Sequence, residues 1–139
     1  MGNVVGDLLD LGAHIAVTVG VNIAAKTFVN IDGTLPSSAA ACTGGIANAD
    51  TASGDIASVK LSPGIYAVRA TDTVTKGLQV EIYQDTTTVY GNINGTKTLI
   101  ACAGVKNIAS GLVVGRALTS GTAGSIVLIN ISVFQRVMA

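Results

Sequence analysis

The side chains able to do chemistry are few and scattered. One histidine, His14, opens a strand-like run among apolar neighbours. No second His, Cys or carboxylate stands at metal-ligand spacing from it. The acidic residues are Asp7, Asp10, Asp32, Asp50, Asp55, Asp72, Asp85 and Glu81. Most fall in turn-like segments, where Asp accepts hydrogen bonds from its own backbone. Spacing alone singles out no carboxylate pair for acid–base hydrolysis. There is no Gly-x-Ser-x-Gly elbow, no P-loop and no Gly-x-Gly-x-x-Gly. The stretch 48–55 is rich in Asp and Asn and has oxygens for calcium, but it lacks the ligand spacing of known loops and reads as a turn. The sequence therefore offers no catalytic, cofactor-binding or metal residues, and the chain is read as a non-enzyme. Asn94-Gly95-Thr96 and Asn130-Ile131-Ser132 match the glycosylation sequon and read as chance matches.

Cys42 and Cys102 each follow an alanine and precede a small-residue segment. Two cysteines without a Cys-x-x-Cys read as buried, reduced small hydrophobes. A single disulfide between them stays open at this level.

Composition narrows the partners. Hydrophobic residues make up 49% of the 139 residues and charged residues 12%, against ~25% charged in a usual soluble domain. A surface that poor in charge points to an oligomer or a lattice component, partly covered by neighbours. Eight basic and eight acidic residues leave a formal net charge of +0, and neither sign clusters. Nucleic acid and anionic lipid are therefore poor partners. With no Trp, three Tyr and two Phe, base-stacking platforms are scarce too. The longest apolar stretches, 15–25 and 126–134, are too short to span a membrane and carry Asn, Thr or Ser. No basic residue precedes Lys26, so the first residues do not read as a secretory signal, and the product is expected in the cytoplasm until it assembles.

The elements that must position these residues occur twice. Gly45-Ile46-Ala47 and Gly54-Asp55-Ile56 return as Gly115-Arg116-Ala117 and Gly124-Ser125-Ile126. An earlier block returns as well: Ala16-Val17 as Ala67-Val68, Ile23 as Val74, and Val29 and Ile31 as Val80 and Ile82. Internal duplication of this kind constrains the fold strongly. Repeat one covers about 14–61 and repeat two about 66–134. Short β-branched runs at 14–20, 27–31, 56–61, 65–70, 78–83, 87–90, 96–101, 112–118 and 125–134 read as strands. Asp32-Gly33, Pro63-Gly64 and Asn94-Gly95 mark turns. The expected fold is all-β: a small sandwich or barrel-like domain, residues 13–139, built from two similar β repeats. Gly54 and Gly124 are expected at positive φ. Ala47 and Ala117 are expected at a close contact between the halves.

Two segments depart from the repeat. Residues 1–12 form a short N-terminal arm, in which Val4, Val5, Leu8 and Leu9 could line one face of a helical turn or two. It either docks on a neighbour or caps its own domain. The second departure is an insertion near 83–109, because the link 32–44 of repeat one becomes 83–114 in repeat two. Insertions of this kind map to exposed loops, where specific contacts are made. The partner-contact candidates are thus Val4, Val5, Leu8 and Leu9 in the arm, and Tyr90, Asn92, Asn94 and Lys97 in the insertion. Arg69 and Arg116 are isolated charges in strand-like runs, read as surface residues or as members of a subunit-interface ion pair.

The duplicated blocks resemble phage capsid decoration proteins, also called cement or head-fibre base proteins. The segments that carry the resemblance are 45–59 and 115–129, with their Gly, Ala and Gly at matched points, and 74–82, Val-Thr-Lys-Gly-Leu-Gln-Val-Glu-Ile. Lys26 stands in the first copy where Gly77 stands in the second. The resemblance implies a small β-rich protein on the outer face of an icosahedral capsid in the virion. It implies the major capsid protein as partner, self-association as a homotrimer, no catalysis and no cofactor. A tail, fibre or head-completion subunit is the alternative, followed by a carbohydrate- or calcium-binding β module.

Overall fold

Alternation along the first strand sets the pattern: Val17 is buried between exposed Ala16 and Thr18. Side chains of a strand point to opposite faces in turn, so one face seeks a core. The computed structural model describes residues 14–38, 41–60, 63–109 and 111–131. Among them are no helices and the strands β1 (His14–Thr18), β2 (Phe28–Val29), β3 (Gly45–Ala47), β4 (Ile56–Lys60), β5 (Gly64–Arg69), β6 (Gln79–Asp85), β7 (Tyr90–Ile93), β8 (Thr96–Leu99), β9 (Cys102–Asn107), β10 (Gly115–Ala117) and β11 (Ile126–Ile131).

The first sheet runs β1-β4-β3-β2 and the second β5-β11-β10-β6-β9, with β7-β8 as a separate hairpin. The pairings within them are antiparallel. One parallel bridge, Ala70 to Val105, draws the two edges of the second sheet together at a point, but no sheet closes into a barrel.

The duplication holds at the level of single residue pairs. Val17 opposite Ala57 becomes Val68 opposite Val127, and Phe28 opposite Ile46 becomes Gln79 opposite Arg116. The isolated bridge Ile23–Thr51 becomes Val74–Gly121. Gly54 and Gly124 have φ of 92° and 91°, as their positions before a strand require. Lys26 has φ of 66° where Gly77 has 89°, and each donates its N–H to the matching carbonyl, Ala47 or Ala117, at 2.9 Å. The substitution at Lys26 therefore leaves the turn intact, although a left-handed backbone costs a side chain about 1 kcal/mol.

Each sheet buries the same inner positions. Val17, Val19, Ile23, Val29, Ala47, Ala57 and Val59 form the first cluster, and the second contains their repeat mates, from Val68 to Ile129. Ala47 thus packs inside the first sheet's own core instead of forming the contact between halves expected of it, whereas Ala117 lies in the second cluster. That contact comes from the opposite face of β2 and β3, where Phe28 and Ile46 enter the second sheet's core beside Val68, Val127 and Ile129. Their repeat mates, Gln79 and Arg116, are exposed.

Two strands lie outside the sequence reading. β3 is short, contains glycine and is buried throughout, so it shows no alternation. β9 adds a fifth strand along β6 and is buried over Cys102–Val105. The insertion is therefore only partly an exposed loop. Gly104 is required there, since a Cβ would lie 2.2 Å from the Arg69 carbonyl oxygen. The N-terminal arm, residues 61–62 and residues 132–134 lie outside the described residues.

Phe28 and Gln79 occupy equivalent places with opposite roles. Phe28→Ala is expected to cost about 3–5 kcal/mol, and Gln79→Ala to stay within about 0.5 kcal/mol of the parent, both read by urea unfolding.

Candidate functional site

The insertion folds back onto repeat one, and a carboxylate holds it there. Asp50, in the turn after β3, accepts the Ala25 N–H at 2.7 Å on Oδ1 and the Asn92 N–H at 2.8 Å on Oδ2. One oxygen secures the turn before β2 and the other secures β7. Charged acceptors make the stronger hydrogen bonds of this kind, each worth about 1.5–3 kcal/mol. Gly91 permits the approach, because a Cβ there would lie 2.6 Å from Ile100 Cδ1 and 3.0 Å from the Asp50 carboxylate. Beneath the hairpin, Ala24, Val89, Ile100 and Cys102 form a third small core, with Ile93 against it.

At the hairpin tip Asn94 and Gly95 both have positive φ, 52° and 83°, as a two-residue turn of matching twist requires. Tyr90 and Asn92 lie on β7, opposite Leu99 and Lys97 on β8. The Lys97 ammonium stands 5.0 Å from the centre of the Tyr90 ring, which is half exposed. The structure thus brings Tyr90, Asn92, Asn94 and Lys97 together on one projecting element. Val4, Val5, Leu8 and Leu9 lie outside the described residues.

Two hollows flank this hairpin. On one side a cleft of about 360 Å³ is lined by Asn48, Asp55, Ile56, Asn92 and Asn94 among others. On the other a hollow of about 390 Å³ is lined by Asp50, Tyr90, Asn92, Gly95 and Lys97 among others. The two segments singled out from sequence, 48–55 and the insertion, therefore meet across one cleft. Chemically it offers carboxamides, the two carboxylates of Asp50 and Asp55 and an exposed isoleucine, a surface for polar recognition. Among the described residues no group of three or more His, Cys, Asp or Glu is placed to hold a metal ion. Each Asp50 oxygen accepts a backbone amide, which gives the 48–55 stretch a structural role.

The other candidate residues fall elsewhere. His14 Nδ1 lies 2.8 Å from Ser58 Oγ at the exposed edge of the first sheet. Asp32 accepts from the Thr34 hydroxyl and N–H, and these bonds hold its carboxyl below the usual range. Arg69 is not a free surface charge. It is half-buried and donates to the carbonyls of Ala25, at 3.3 Å from Nε, and Gly124, at 3.0 Å from Nη1. One guanidinium thereby ties a turn of each repeat together, and the Arg69 N–H reaches the Lys26 carbonyl at 2.7 Å. Exposed Arg116 donates to the Gly77 carbonyl at 2.7 Å. Sequence reasoning missed the roles of Asp50 and Arg69 because their partners are backbone groups, which every residue carries.

Cys42 and Cys102 are buried free thiols in separate clusters, so the structure contains no disulfide between them. Burial pushes both up to about 11, with Asp85 adding to the effect at Cys102.

Asp50→Ala is expected to destabilise the protein by about 2–4 kcal/mol and to speed amide exchange at Ala25 and Asn92 above that of the β5–β11 pair. Equal protection in variant and parent would refute the clamp. The thiols are expected to resist alkylation at pH 8 while the protein is folded and to react fully in denaturant. An unfolded thiol ionises near 8.5, so above that pH the unfolded chain loses protons that the folded chain keeps. Stability should therefore fall as pH rises from about 8.5 towards 11, with a shallower slope in the Cys42→Ala/Cys102→Ala variant.

Comparisons of the chain with protein-family models, with curated proteins and with solved structures found no match.

Proposed function

We propose that this chain is a structural protein of a phage virion that binds the outer surface of the capsid and reinforces contacts between major capsid protein subunits. The observation that carries the reading is a set of large apolar side chains exposed on the outward faces of both sheets. Ile56 is 66% exposed, and its repeat mate Ile126 is 45% exposed. Ile65 and Leu128 are exposed on the second sheet as well, and Leu118 is exposed just after β10. Fully burying such a side chain contributes about 1.5–3 kcal/mol. A chain with 12% charged residues has little polar surface to dilute such positions. Docking on a shell would cover them, and many copies on one lattice would multiply weak contacts. The hairpin residues Tyr90, Asn92, Asn94 and Lys97 supply the polar, specific part of that contact. Self-association as a homotrimer belongs to the same proposal.

The polar cleft beside the hairpin favours a second reading, a carbohydrate-binding β module. Carboxamides and carboxylates suit sugar hydroxyls, and binding on a glycan array would support it.

The capsid reading is tested by adding purified protein to expanded shells that lack it. Saturable binding and a higher shell melting temperature are expected. Tyr90→Ala/Lys97→Glu is expected to lower occupancy at least tenfold while the protein still melts cooperatively. Absence of binding by the parent protein, with shell stability unchanged, overturns the proposal.

A further inference from the structure

We infer that the joint between the two sheets carries a binding site for a compact oxyanion, held by Lys26 and Lys60. The inference is independent of the capsid proposal. Both lysines line a hollow of about 140 Å³ between the sheets, together with Asn48, Ile65, Tyr66 and others. Among the described residues no carboxylate lines it. Lys26 Nζ donates to Asn48 Oδ1 at 3.2 Å, and the Lys60 ammonium stands 5.8 Å from the centre of the Tyr66 ring. These contacts steer both side chains towards the hollow without neutralising either charge. Two like charges lining one small hollow with no carboxylate make it favourable for an anion, which both ammonium groups attract.

The repeat itself points to the same pair. The mates of Lys26 and Lys60 in repeat two are Gly77 and Asn130, so neither charge is demanded by the fold. Lys26 also keeps a left-handed φ of 66° where its mate is glycine. A strained backbone that persists beside a cavity is a pointer to function. Ammonium groups act as point charges without the planar fork of arginine. The site therefore accepts a carboxylate or a phosphate, of about the size the hollow admits. Its two sources are free inorganic phosphate and an acidic side chain of a docked protein.

The test is thermal unfolding of the full chain at constant ionic strength, with inorganic phosphate in one arm and acetyl-glutamate amide in the other. At ten times the dissociation constant a rise in melting temperature of about 4 °C is expected. Lys26→Gly/Lys60→Asn, which installs the repeat-two residues, is expected to abolish the rise. Lys26→Gly alone relieves the left-handed backbone and should melt no lower than the parent, so a lost response does not report misfolding. A shift with phosphate alone identifies a free-anion site. A shift with the glutamate probe identifies a side-chain site. No shift with either probe, or an equal shift in the double variant, overturns the inference.

Discussion

The fold depends on one constraint: the short strands β2 and β3 bury both faces. Val29 and Ala47 close the first sheet's own core, while Phe28 and Ile46 enter the core of the second. A sheet face of valine and isoleucine is unstable against water, and this is how the second sheet finds cover. Burying a phenylalanine or isoleucine contributes roughly 1.5–3 kcal/mol, so the pair is a large part of a typical margin of 5–15 kcal/mol. Arg69 then fixes the angle of the joint by bonding a carbonyl on each side. The two sheets cannot separate without exposing one core and leaving those carbonyls to water.

A unit repeated with such fidelity must also stop repeating. If Gln79 and Arg116 were apolar like Phe28 and Ile46, the second sheet would offer the same sticky face to another copy. Polar outer positions on terminal units are the general remedy in stacked repeats. The insertion supplies a second one. β9 covers the free edge of β6, which would otherwise present unpaired backbone groups for uncontrolled strand pairing. The differences between the copies are therefore as structural as their likeness. The identical parts make two sheets, and the different parts make them one finite body.

Much of this was legible in the residues. The offsets between the blocks carried the register, since Gly54 and Gly124 or Val29 and Val80 fall at matched positions of matched strands. What stayed hidden has common physical causes. Gly45-Ile46-Ala47 is a strand with no alternation because water touches neither face. β9 is built of small residues because the chain passes close to the Arg69 carbonyl at Gly104. Ala47 and Ala117 read as a contact between halves because small residues often mark close approach, yet the first copy makes that contact with the bulky Phe28 and Ile46, whose mates Gln79 and Arg116 stay exposed. The four hairpin residues were named from sequence as an insertion. Their attachment to repeat one was not readable, because Asp50 bonds main-chain amides and no side-chain pattern announces that.

The attachment bears on how a partner could bind. A free hairpin of ten residues would be marginal in water, and a partner would have to order it on contact. Asp50, the small core under Ile100 and the Lys97–Tyr90 contact place that ordering cost in folding instead of in binding. Pre-organisation of this kind raises affinity without new contacts. It matters most where each contact is weak and the surface carries few charges, which is the situation of this chain. Under the proposed capsid role, a stiff, sparsely charged body with exposed apolar side chains would match a fixed lattice by shape. The energy then comes from area summed over many copies, and the hairpin contributes register more than strength.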